Sequence, residues 1–307
     1  MAKADAVSMA LRTGTAPATA RWVERAGPMD PAIFRARYAR TRRPVVLSGA
    51  VAHWPALQRF SPEFFQREYG NRVVRVRGRQ YRLGEIVALQ QASSAAAPAP
   101  YPCTLYDCSG LLADMPRPEC TLPSRHASSL LPTHVFDVIN HLEVFFGGPG
   151  GTFPYLHYDM LHMHAWIAQV YGDKEFTLYE PGQEDLLYVN PQMPWVSTAE
   201  DARDFQRYPL LRKARSHTVI VHPGDLLFIP CGIWHTARCL GPCITVAFDQ
   251  LEPCNWTAFR DEVAAAERRN GHPLKALAEW AWLTVLGPLF SLAERFGAHR
   301  NVGLGVN

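Results

Sequence analysis

The chain has 307 residues, 48% of them hydrophobic and 19% charged, with a formal net charge of +3. It is long enough for a large buried core and too apolar for intrinsic disorder. The small net charge gives no electrostatic case for a nucleic-acid partner, and the clusters at Arg35–Arg43 and Arg72–Arg82 read as solvated faces. Seven cysteines without C-x-x-C spacing give neither a zinc ribbon nor a disulfide framework. Reduced thiols in a cytoplasmic protein follow, and Cys231 reads as a buried structural thiol.

Residues 1–25 form an Ala/Thr-rich tail with no apolar segment of the kind a secretory signal needs. Asp30-Pro31 is a cap and first turn for a helix carrying Phe34 and Tyr38. Pro44–Leu47 reads as a short buried strand. Ser61-Pro62 opens a second helix with Phe64, Phe65 and Tyr69, closed by Gly70. Val73, Val74 and Val76 among arginines read as a strand, and residues 91–102 as an exposed Ala/Ser/Pro loop.

From about Thr104 to Asp249 short strands alternate with Gly/Pro turns. Leu142–Phe146, Trp166–Tyr171, Glu175–Tyr179, Thr218–His222, Asp225–Ile229 and Ile244–Phe248 are the clearest, and they predict an antiparallel sandwich or barrel. Beyond it, Trp256–Arg269 and Leu274–Phe296 read as helices. Trp280–Ala293 is uncharged but short for a bilayer, with Gly287-Pro288 expected to interrupt it. The face containing Leu277, Trp280, Leu283, Leu286 and Phe290 is therefore a candidate homodimer surface, and no membrane is expected. The expected organisation is a tail (1–25), a β-rich catalytic domain (26–250) and a helical segment (251–307).

The motif richest in chemistry is His157-Tyr158-Asp159. On an extended segment its two outer side chains share a face. His235 ends the run Gly224-Asp225-Leu226-Leu227-Phe228-Ile229-Pro230 … Trp234-His235. Gly224-Asp225 starts a strand, Pro230 ends it, and Gly232 lets the chain turn so that His235 points back. Two imidazoles and one carboxylate make the facial set of non-haem Fe(II) oxygenases, although catalytic Zn(II) accepts the same donors. Lys174 sits just past the following strand. A cation inside an apolar barrel marks a ligand anion, because an unpaired buried charge is costly. Thr245 is placed to offer the same anion a hydroxyl. Trp166 and Phe176 are candidate pocket walls or plain core; His162 and His164 are candidate metal-tuning or substrate contacts, or ordinary hydrogen-bonded histidines.

Five ordered segments carry a family resemblance: Arg43–Gly49 with His53-Trp54-Pro55, Leu156–Asp159, Ala168–Lys174, Gly224–His235, and Ile244–Phe248. Together they resemble the JmjC/cupin-like Fe(II)- and 2-oxoglutarate-dependent oxygenases, in the branch of small asparaginyl and lysyl hydroxylases. The resemblance implies a mainly β fold with flanking helices, built as a double-stranded β-helix (a jelly-roll or cupin barrel). It implies iron ligands His157, Asp159 and His235. It also implies that Lys174 pairs with the distal carboxylate of 2-oxoglutarate, assisted by Thr245, with Tyr106 at a pocket position. The chemistry implied is hydroxylation of an unactivated C–H using O2, with 2-oxoglutarate decarboxylated to succinate. The reading taken is a protein or peptide side chain as substrate; a free amino acid or small metabolite is the alternative within enzymes, and a non-catalytic metal-binding scaffold the alternative from another class. The chain departs from many relatives in carrying Ala247 where asparagine is common.

Overall fold

A computed structural model describes residues 22–106, 108–126, 128–135 and 142–297. Most of the tail assigned to residues 1–25 lies outside the described residues.

The large sheet gathers seven strands. In chain order they are β1 (Glu24–Ala26), β2 (Val45–Leu47), β5 (Cys103–Leu105), β6 (Glu143–Gly147), β7 (His164–Tyr171), β10 (Leu226–Ile229) and β12 (Cys243–Gln250). Their spatial order is β1-β2-β10-β7-β12-β6-β5, antiparallel except for the β1–β2 pair. The small sheet is β11-β8-β9, from β8 (Lys174–Tyr179), β9 (Ser216–Val221) and β11 (His235–Cys239). A separate hairpin joins β3 (Val73–Val76) to β4 (Arg79–Arg82) through Arg77 and Gly78, both at positive φ, as a tight two-residue turn requires.

The period-2 rule explains why β7 reads as a continuous apolar run. Trp166, Ala168 and Val170 face a core filled by Phe34, Phe65 and Phe228. Ala165 and Ile167 face the opposite way, toward Phe176, Leu178 and Ala237 of the small sheet. A strand buried on both faces shows little polar alternation.

The N-terminal helices cover the outer face of the large sheet. α1 (Pro31–Phe34) continues as a π-helical turn to Ala39, and the Asp30 carboxylate accepts from Ala32 N at 2.7 Å. α2 (Ala56–Arg59) is one turn long, and α3 (Pro62–Tyr69) is capped by Ser61 Oγ, which accepts from Phe64 N at 3.2 Å. α4 (Leu83–Ala92) fills a stretch that has no strong sequence signal.

Two helices follow the last strand: α5 (Trp256–Arg269) and α6 (Pro273–Arg295). Gly287-Pro288 does not interrupt α6, contrary to the sequence expectation. Proline removes one helical donor there, and the Trp256 indole N–H donates to the nearby Leu283 carbonyl at 3.0 Å. Gly287 leaves room for that indole, since a Cβ would lie 2.5 Å from its nitrogen. At 23 residues, α6 is long and apolar enough to cross a membrane by length and composition alone. The expected dimer face also needs correction. Leu283 and Leu286 are buried, and with Phe290 they pack against Trp256, Phe259 and Val263 of α5. Leu277 and Trp280 of that face do stay exposed, and the stripe left outside runs through Leu274, Leu277, Trp282, Val285, Leu289 and Leu292.

Candidate active site

The two sheets enclose a cavity of ≈ 730 Å³. His157, Asp159 and His235 bring one donor atom each to within 4.8 Å of one another. His235 opens β11, next to β8. His157 lies on no regular strand; it bridges to His235 on one side and Val196 on the other. The two histidines exchange main-chain bonds, His157 N to His235 O at 3.1 Å and His235 N to His157 O at 2.7 Å. Their rings lie 4.4 Å apart. Gly232, at φ 76°, makes the turn that aims His235 inward.

The protonation pattern suits a cation. The His235 Nδ1–H donates to the Ile233 carbonyl at 3.0 Å, which turns Nε2 toward Asp159 Oδ2, 4.0 Å away. His157 is stacked on Phe153, and its Nδ1 is a buried atom without a hydrogen-bond partner among the described residues. Burial, then the neighbouring His235, holds the His157 imidazole well below its usual range, so it is neutral. Burial raises the Asp159 carboxyl, offset in part by His235. Two imidazoles and a carboxylate form a donor set that fits Fe(II) or Zn(II).

Lys174 is 3% exposed and opens β8 inside the same cavity. Its ammonium lies 5.3, 5.2 and 5.5 Å from the rings of Tyr101, Phe145 and Phe176. It donates to Thr245 Oγ1 at 3.4 Å and makes no ion pair with a carboxylate among the described residues. The Thr245 hydroxyl in turn donates to Gln169 Oε1 at 2.9 Å, and the Gln169 amide donates to the carbonyls of Tyr171 and Gly172. Gln169 escaped the sequence reading, although a glutamine within an apolar strand is a signal for it. A register shift between Ile244 and Thr245 sets Thr245 opposite Gln169.

Tyr106 also lines the cavity but at its rim, 54% exposed, with its hydroxyl against Glu143. Glu143 and Asp249 are two further cavity residues that sequence reasoning missed. Burial, then Asp159, pushes the Glu143 carboxyl up to about 7. Burial and the same like-charged neighbours raise that of Asp249 well above the usual carboxylate range. Phe176 lines the cavity, whereas Trp166 belongs to the helix-side core.

The remaining candidates lie elsewhere. His162 stacks on Tyr158 at 4.9 Å. His164 is buried beside Glu252 and Cys254, a trio close enough to hold a metal. Its Nδ1 accepts from Cys231 N at 2.8 Å, so the neutral ring carries its proton on Nε2, the atom facing Cys254 and Glu252. That trio is a hydrogen-bond network.

Comparison with known proteins agrees with this geometry. Residues 107–248 match the sequence model of the cupin-like domain family. The chain is 30% identical to a chicken (Gallus gallus) protein named 2-oxoglutarate and iron-dependent oxygenase JMJD4, over 43% of this chain and 33% of the relative. Identity is 28% to Lysine-specific demethylase 8 of Xenopus tropicalis, over 70% of this chain and 49% of the relative. It is 25% to the human Bifunctional peptidase and (3S)-lysyl hydroxylase JMJD7, over 72% of this chain and 81% of the relative. The chain thus spans a third to a half of the first two relatives.

Proposed function

We propose that this chain is an Fe(II)- and 2-oxoglutarate-dependent oxygenase that hydroxylates an unactivated C–H bond on a protein or peptide side chain. The observation that carries the reading is Lys174, a buried ammonium without a carboxylate partner among the described residues, in the cavity that holds the two-His, one-Asp cluster. In this reading His157, Asp159 and His235 hold iron, and Lys174 receives a carboxylate of 2-oxoglutarate. Thr245, anchored by Gln169, keeps the lysine in place. Tyr106 borders the same cavity at its rim. Iron with 2-oxoglutarate and O2 supplies oxidative decarboxylation to succinate and CO2, coupled to hydroxylation. The chain's own part is to orient and to exclude water: the Ile233 carbonyl fixes the His235 ring, and Phe145, Ile167 and Phe176 wall the cavity. The names of the chicken and human relatives support both the cofactors and a side-chain substrate.

We infer the same domain division as from sequence, with a catalytic unit over 26–250 wound as a jelly roll and a helical unit over 251–307. The outward stripe of α6 is our proposed contact between two copies of the chain, since six large apolar side chains there face solvent.

Anaerobic titration of the apo-protein with Fe(II) and then 2-oxoglutarate tests the function. A metal-to-ligand charge-transfer band that is lost in His235→Ala is the expected result. A folded protein without the band overturns it.

A further inference from the structure

The backbone just past Asp159 is strained. Leu161 and His162 both lie in the left-handed region, at φ 59° and 52°. There the Cβ of an L-residue crowds the carbonyl oxygen that follows, and few side chains other than glycine and asparagine stay in it. Two such residues in succession persist only where their surroundings hold them. They belong to the turn Met160–His162, which joins Asp159 to β7. Asp159 itself is extended, at φ −65° and ψ 129°, so this turn sets the direction in which the chain leaves the ligand.

The turn is held from two directions. Asn255, 0% exposed and just ahead of α5, donates from Nδ2 to the His162 carbonyl at 3.0 Å. The same Nδ2 donates to the Gln250 carbonyl at 3.1 Å, and Oδ1 accepts from Glu252 N at 2.8 Å. Two donor hydrogens and an acceptor on so short a stem are what an asparagine side chain supplies. From the other direction, the His162 ring stacks on Tyr158 at 4.9 Å. Tyr158 stands between the ligands His157 and Asp159, and it meets Trp234 edge-on at 5.2 Å. Gly232 lies against the same imidazole, since a Cβ there would sit 3.4 Å from His162 Nδ1. Gly232 and Trp234 lead into His235. The His162 ring therefore touches both segments that bring donors to the cluster. Leu161 packs against the core that contains Trp256 and Phe259 of α5.

We propose that Asn255 and His162 are positioning residues, which latch this turn and so hold the Asp159 carboxylate beside the two histidines. The assignment rests on the metal reading of the cluster and adds two side chains that are not themselves donors. It also gives the helical segment a part in the centre, because Asn255 opens α5. Without the latch the turn relaxes out of the left-handed region, and Asp159 loses its fixed direction. A purely structural role for the two residues would lower stability and leave the donor geometry of the folded protein unchanged.

The test follows Co(II), a spectroscopic stand-in for iron, binding to the full chain under anaerobic conditions. Only the visible absorption that disappears in His235→Ala is counted. Asn255→Ala and His162→Ala should each weaken Co(II) binding about 10-fold or more, the loss typical of groups that orient metal ligands, and alter the absorption spectrum. His162 is half-buried, so His162→Ala decides the matter if Asn255→Ala does not fold. Leu161→Gly supplies a rescue. Glycine adopts positive φ freely, so Leu161→Gly in the Asn255→Ala background should recover Co(II) affinity by about threefold or more, although the lost leucine packing lowers Tm. Under a purely structural role, affinity and Tm fall together in the double variant. Either single variant binding Co(II) within about threefold of the original, with an unchanged spectrum, overturns this inference alone. A double variant that binds more weakly than Asn255→Ala also overturns it. An original chain without a Co(II) signal dependent on His235 overturns the metal reading beneath it.

Discussion

Lys174→Met separates the ligand-binding role of the lysine from its structural cost, because the two effects have opposite signs. In the free protein the ammonium is 3% exposed and compensated by three ring faces and one long hydrogen bond. Ring contacts contribute about 0.5 to 1 kcal/mol each, while burying an ion costs several kcal/mol. Methionine fills a similar volume and keeps favourable contacts with aromatic rings. The ligand-free variant should be more stable by about 1 to 2 kcal/mol, which raises Tm by ~2–4 °C per kcal/mol at this size. With 2-oxoglutarate bound, the same change strands a desolvated carboxylate, at about 2 to 5 kcal/mol. Affinity should fall by roughly 30-fold to 4,000-fold at 1.4 kcal/mol per decade. Thermal melts of the ligand-free protein and charge-transfer titration with 2-oxoglutarate measure the two halves. A variant that melts lower without ligand, or binds 2-oxoglutarate within about threefold of the original, refutes the assignment of Lys174 as an anion-binding cation.

Other perturbations have equally definite outcomes. His126 and His164 are buried, and desolvation holds both imidazoles down to about 3. The unfolded chain takes up these protons near pH 6.5 and the folded one only near pH 3. Their contribution is therefore complete above pH 6.5 and is lost as pH falls toward 3, at about 1.4 kcal/mol per pH unit each; urea unfolding at pH 7 and pH 5 should yield a slope that flattens by about that amount in His126→Gln. Arg125 is 3% exposed, pairs twice with Glu294 at 2.7 and 3.0 Å, and stacks over Trp256. Arg125→Ala should cost about 3 to 5 kcal/mol in urea unfolding and release α6 to protease, because the glutamate is left without its partner. Val285→Asp with Leu289→Asp places two charges on the outward stripe of α6; light scattering should find dimer for the original chain and monomer for the variant, and a monomeric original chain refutes the pairing.

The sequence was legible where one physical requirement dictated one residue type. Asp30 and Ser61 sit where they were expected because helix N-termini need acceptors. The strands carrying Trp166–Tyr171 and Ile244–Phe248 were visible as apolar runs, and each extends two or so residues further in the fold. His157, Asp159 and His235 converge as their spacing implied. β11 was not visible as a strand, since His235–Cys239 alternates only weakly and its pairing with β8 is made by tertiary contact. Glu143 and Asp249 were missed because an acidic residue at a strand end ordinarily reads as solvated. The continuity of α6 was missed for another reason: Gly287 lets the helix lie close against Trp256 of a different helix, a tertiary contact that the local sequence does not signal. The face chosen for dimerisation was apolar, as expected, but apolarity alone does not say whether a helix turns that face to its own chain.

The reciprocal main-chain bonds between His157 and His235 have a consequence for the metal proposed to sit there. Sheet pairing already holds the two imidazoles together, so the cation is not asked to fold the site, as it is in a zinc finger. Chelation should empty such a centre and leave the scaffold standing. The ion then behaves as an exchangeable guest, and which ion occupies the site depends on what the surroundings supply as well as on the donors themselves. A chain of this design can be made before iron is at hand and loaded later without refolding.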